Sequence, residues 1–115
     1  MHYKRLMNEE TVYLGKPTAA ISYFTFIGLI IAYFMNNEPK NPFAAFHIRQ
    51  SLGLTLSYFL IMIPLSMLDI VMASYGFLLL FFVLWLYGII GAFQGKMWLL
   101  PIVGPFYQKM FSSTN

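Results

Sequence analysis

The chain contains no cysteine, which excludes disulfides, thiolate metal centres and thiol nucleophiles. Charge is almost as scarce: Asp, Glu, Lys and Arg together make up 10% of 115 residues, against roughly a quarter in a soluble domain. The seven basic residues are strung out along the sequence, whereas a nucleic-acid surface needs them clustered, so no nucleic-acid partner is expected. There is no G-x-S-x-G elbow, no Gly-rich phosphate loop and no H-x3-H pair; the histidines are His2 and His47 alone. A lipid-active enzyme would need a nucleophilic cluster at one depth, which His47, Arg49, Asp69 and scattered Ser and Tyr do not supply. The chain is therefore expected to be non-enzymatic, with no catalytic residue, metal or cofactor.

What the sequence has is apolar surface. Hydrophobic residues reach 59% and aromatics 19%, with 12 Phe and 8 Tyr. A 115-residue soluble bundle has too little polar surface to cover that load, and a bilayer removes the need. The expected fold class is all-α: one integral membrane helical bundle over 1–115, with three transmembrane helices and a C-terminal interfacial or re-entrant segment. Residues 1–16 read as an N-terminal interfacial segment. The uncharged run "TAAISYFTFIGLIIAYFM" gives a first span over 18–35, about 27 Å of helix against a hydrocarbon core of about 30 Å. After the polar turn "NNEPKNP", a second span covers 43–68, with a kink expected at Pro64. A third covers 70–94, with Asp69 as its expected N-cap. The tail 96–111 holds Pro101, Gly104 and Pro105, so it is expected to lie on or dip into one face, with Lys96, Trp98, Tyr107 and Lys109 at the interface. In this arrangement Lys4, Arg5 and Lys16 face Lys40, Arg49, Lys96 and Lys109 across the membrane, a near tie that leans to a cytoplasmic Lys40 side.

The stretch "NPFAAFHIRQSLGL", 41–54, sets three strong polar groups at the mouth of an apolar helix. Helical spacing places His47, Gln50, Ser51, Leu54 and Tyr58 broadly on one face and Arg49 nearly opposite. His47 reads either as a packing histidine bonded to a carbonyl or side-chain oxygen, or as a proton relay or gate. Arg49 reads either as a snorkelling anchor or as a partner for Asp69, Glu38 or an anion. His47, Arg49, Gln50 and Asp69 form the candidate polar set. Small residues provide a second pattern: Gly28 and Ala32 in the first span, Gly53 in the second, Gly88, Gly91 and Gly95 in the third. Such stripes let helices approach closely, either within the chain or between copies.

The first block, Phe43, His47, Arg49, Gln50, Ser51 and Leu52, and the later Gly95, Trp98 and Pro101 of "GAFQGKMWLLPIVGPFYQ", resemble the Tic-twenty-like family, small bacterial membrane proteins related to a chloroplast inner-envelope import component. The sequence departs from that pattern at Ala44 and Ala45 and in "MWLLP". The resemblance implies an inner (plasma) membrane protein of three or four spans in a bacterium, with a transport or channel role. The expected function is a self-associating channel or transport component, and the alternative is an accessory subunit that stabilises a larger membrane complex. Expected partners are the bilayer and either further copies of the chain or another membrane protein.

Overall fold

Asn8 opens the first helix by accepting from the Thr11 N–H at 2.7 Å, with Glu9 and Glu10 placed where acidic groups favour a helix N-terminus. The computed structural model describes residues 8–112; the part of the expected N-terminal segment before Asn8 lies outside them. Along the described residues run α1 (Glu9–Ile21), α2 (Thr25–Met35), α3 (Pro42–Met67), α4 (Val71–Gln94) and α5 (Gly104–Met110), with no strand among them.

The expected first span, 18–35, is not one helix. Its start belongs to α1, the chain turns at Ser22–Phe24, and α2 leaves in the opposite direction. Packing gives the course. A Cβ on Gly15 would meet Asn41 and Ala44, Ala19 packs with Phe43, and the Ser51 hydroxyl bonds to the Ser22 carbonyl, so α1 runs parallel to the first half of α3. On the way back, Leu29 and Ala32 pack on Ile48, and Asn36 bonds to Asn41. Thus α1 and α2 form a hairpin whose two ends lie at one end of the bundle. The 11 residues of α2 make about 16 Å of helix, half of what a crossing needs.

The turn forms because its backbone groups find partners outside the helix. The Ser22 hydroxyl donates to the Ala19 carbonyl at 2.7 Å, and the Trp85 indole N–H donates to the Tyr23 carbonyl at 2.6 Å. Thr25 takes φ 62°, unusual for a β-branched residue. Gly28 is needed just beyond it, because a Cβ there would collide with the Ile21 carbonyl oxygen.

Two helices are long and apolar enough to cross a membrane, α3 with 26 residues and α4 with 24. At 1.5 Å per residue they are about 39 and 36 Å long. Asn41 caps α3 by accepting from the N–H groups of Phe43 and Ala44 at 3.0 and 3.1 Å, and Pro42 occupies the position where a missing N–H is harmless. The helix continues through Pro64 to Met67.

Asp69 is not the N-cap of the next helix. It sits at φ 57° and closes α3: its N–H bonds to Ser66 and that of Ile70 to Leu65, at 3.3 and 3.2 Å, the Schellman arrangement. Asp tolerates this left-handed conformation better than most residues. The position before α4 is Ile70, which makes no side-chain cap. At the other end Gly95 takes φ 72° and closes α4 in the same way, through Lys96 N–H to Gly91 and Gly95 N–H to Ala92, at 2.8 and 3.3 Å.

The core occupies the half of the bundle where α3 begins and α4 ends; there the α1–α2 hairpin and the C-terminal segment cover α3 and α4. The other half is a bare helical hairpin, with Leu60, Met67 and Met72 at 77%, 80% and 86% exposure. This hairpin extends the molecule to 47 × 24 × 23 Å.

Candidate functional site

His47 and Gln50 lie one turn apart on the face of α3 that the α1–α2 turn and the 96–100 segment cover, and both are fully buried. The His47 Nε2 is 2.9 Å from the Lys96 carbonyl. A carbonyl can only accept, so Nε2 carries the proton and Nδ1 is left as an acceptor. The Tyr23 hydroxyl, 2.7 Å from Nδ1, therefore donates to it. Its oxygen in turn accepts from the Gln50 amide nitrogen at 3.2 Å. That amide also donates to the Trp98 carbonyl at 3.0 Å, while Gln50 Oε1 accepts from the Leu100 N–H at 2.9 Å.

The direction of each bond thus follows from its neighbour, and the network closes. Among the described residues no buried side-chain nitrogen or oxygen lacks a partner. Around the imidazole stand Phe43, Phe46 and Tyr23, with ring centroids at 4.9, 5.1 and 5.5 Å and all edge-on. What the arrangement does is mechanical: two irregular backbone segments, 22–24 and 96–100, are held at depth by side chains of α3. Non-helical backbone is tolerated at membrane depth where protein groups satisfy it.

The candidate polar set does not form one cluster. His47 and Gln50 come together. Arg49, on the other side of α3, donates to Gln108 of α5 at 3.3 Å, and Gln108 donates to the Phe46 carbonyl at 2.8 Å. Asp69 lies twenty residues further along the helix, about 30 Å away. Pairing of Arg49 with Asp69 is therefore ruled out by distance.

The small residues are filled from within the chain. A Cβ on Gly53 would enter the Tyr107 ring, and one on Gly88 would lie 2.7 Å from Tyr23. On Gly95 it would meet Val12 at 2.8 Å and Lys16 at 2.9 Å, whereas Gly91 has ordinary space, 3.4 Å from Trp98. Ala32 is fully buried on Ile48. Tyr107, expected at the interface, is a core residue packed with Leu54, Phe81 and Leu100, its hydroxyl 2.6 Å from that of Ser57.

Sequence reasoning identified His47 and Gln50 and missed Tyr23, Trp85 and Gln108. For Tyr23 there was one weak signal, the adjacent hydroxyl-bearing pair Ser22-Tyr23 inside a run that is apolar apart from Thr18, Thr25 and Tyr33. The carbonyls of Lys96 and Trp98 carry no side-chain signal at all.

Residues 11–107 match a family described as the magnetosome magnetite crystal formation protein family, MamF/MmsF. This overturns the Tic-twenty-like resemblance: the shared blocks at 43–52 and 95–101 consist of residue types common to small membrane proteins, and a match spanning most of the chain outweighs them. No curated protein and no solved structure is significantly similar to the chain.

Proposed function

The chain belongs to this magnetosome family, and from that premise we propose that it is a non-enzymatic accessory component of the magnetosome membrane that supports magnetite crystal formation. One observation carries the non-enzymatic part: the polar groups of the buried junction are all engaged with one another and with backbone of the same chain. Engagement with backbone of the same chain supports a structural role for these groups. The import-channel role fell with the resemblance that suggested it.

Charge supports an orientation. Lys16, Lys40, Arg49, Lys96 and Lys109 all lie at, or within about two turns of, the end where α3 begins and α4 ends. Between Arg49 and Lys96 the one charged residue is Asp69, at the tip of the α3–α4 hairpin. With α3 and α4 as the spans and α1–α2 and 96–112 as re-entrant segments, the positive-inside rule puts the basic end in the cytoplasm. The Asp69 turn then faces the compartment in which the crystal grows. A partner in this role, whether another copy or a different membrane protein, would dock on lipid-facing sides of α2, α3 and α4, since the glycine-lined faces are occupied internally.

Removal of the gene from its magnetite-forming host tests the reading. Crystals fewer in number or altered in size, restored by the wild-type gene, are the expected result. Unchanged crystal number, size and shape would sink it.

A further inference from the structure

The α1–α2 hairpin covers α3 and α4 only to about half their length, and just beyond its turn lies a cavity of about 330 Å³. Its roof is Tyr23 and Thr25, its walls are Ser51, Leu54, Thr55 and Tyr58 of α3 and Phe81 and Trp85 of α4. The volume lies at the low end of ligand pockets, about 300–1,000 Å³. We infer that this cavity is a binding site for one acyl chain of a membrane lipid.

Three observations select that occupant. The first is depth: on α3 the lining runs over 51–59 and on α4 over 78–85, the middle of both candidate spans, so the site sits in the hydrocarbon layer. The second is access. The rim residues Phe26, Phe59, Leu78 and Phe82 are themselves exposed, so the mouth opens sideways into lipid. The third is chemistry: the backbone of the turn above the cavity is already satisfied, with the Ser22 carbonyl taken by Ser51 and the Tyr23 carbonyl by Trp85. Among the described residues no buried side-chain nitrogen or oxygen is left without a partner, and most of the lining is hydrocarbon and aromatic ring. A polar or charged ligand would find only scattered hydroxyls, those of Thr25, Thr55 and Tyr58, among apolar walls, whereas an apolar chain gains contact along the whole lining. A lipid tail also supports the turn, because it covers Thr25, which lines the space and is exposed.

Trp85 lines the site and the sequence holds two tryptophans, so Trp98→Phe leaves one reporter. In vesicles of phosphatidylcholine brominated at mid-chain, Trp85 fluorescence is expected to be strongly quenched. Filling the cavity with Thr55→Phe, or more mildly with Thr55→Leu, is expected to reduce that quenching by at least half at unchanged helix content. Native mass spectrometry of the same proteins should show one retained lipid per chain in wild type and none in the filled variants. Equal quenching and equal lipid retention in wild type and in whichever filled variant keeps its helix content would overturn the site. So would a second copy of the chain cross-linked through Phe26 and Leu78 in place of lipid.

Discussion

The Tyr23 hydroxyl donates to Nδ1 of His47 at 2.7 Å, joining the α1–α2 turn to the first half of α3 across 24 positions of sequence. Because the opposite ring nitrogen is committed to the Lys96 carbonyl, one imidazole fixes the two irregular segments of the chain at once. The partners on either side are a hydroxyl and a main-chain oxygen, so each ring nitrogen has a single role. Histidine is the residue that offers one donor and one acceptor about opposite edges of a small apolar ring, which explains its presence among Phe43 and Phe46.

Replacement of Tyr23 by Phe removes the donor to His47 and an acceptor for Gln50 together. A cost of about 1–3 kcal/mol is expected, read as earlier loss of helicity in a denaturant titration of the detergent-solubilised protein. His47→Ala should cost at least as much, and the double variant less than the sum of the two, since both act on one network. Additive losses would show that the two residues are not coupled.

The protonation pattern is itself measurable. Nitrogen-15 shifts of a His47-labelled sample are expected to report a protonated Nε2 and an unprotonated Nδ1, the pattern the Lys96 carbonyl demands. The reverse tautomer would mean that the imidazole faces other partners and that the junction is assembled differently.

The glycines divide sharply. Gly53→Ala must displace the buried Tyr107 ring and should cost about 1–3 kcal/mol by overpacking, releasing the C-terminal segment to proteolysis. Gly91→Ala meets its nearest neighbour at 3.4 Å, ordinary contact, and should be neutral or gain up to about 1 kcal/mol from helix propensity. A cleavage pattern that does not distinguish the two variants would argue against the docking of Tyr107 on α3.

Topology separates two spans from three, and the absence of cysteine makes the experiment clean. Single cysteines at Asn8, Asn37 and Ser112 are expected to react with an impermeant maleimide from one side of the membrane, and a cysteine at Asp69 from the other. In a three-span chain Asn8 and Asn37 would react from opposite sides, and that outcome would return the 18–35 segment to a crossing helix.

Much of this architecture is legible in the residues. Asn41-Pro42 marks the start of α3, the long apolar run marks α4, and helical spacing alone puts His47 and Gln50 on one face with Arg49 turned away. The break in the first apolar run is not legible, because its causes are remote. No glycine or proline stands at Ser22–Phe24, and the groups that satisfy the turn, Ser51 and Trp85, lie 29 and 62 positions away. Tyr107 was misplaced for a related reason: an aromatic with a hydroxyl suits both an interface and a core that provides it with Ser57. Only the tertiary partner decides between them.

Asp69 illustrates the remaining ambiguity, since aspartate is favoured both before a helix and in the left-handed position after one. The structure puts it in the second role, with φ 57° and an exposed side chain. Asp69→Gly is therefore expected to preserve or raise stability by a few tenths of a kcal/mol to about 1 kcal/mol, because glycine adopts this conformation without steric cost. Asp69→Val should cost about 1–3 kcal/mol, as a β-branched residue is forced into a sparsely populated region. Were the carboxylate instead a cap for α4, the sign for glycine would reverse: Asp69→Gly would lose a few tenths of a kcal/mol rather than preserve or raise stability. Unfolding midpoints of the two variants against wild type distinguish these cases, and a stable glycine variant also keeps the hairpin tip intact while removing its charge. Under the proposed role in magnetite crystal formation, that variant returned to its host tests the carboxylate apart from the turn: normal crystals would show that the charge at the tip is dispensable, and altered crystals that the charge itself matters.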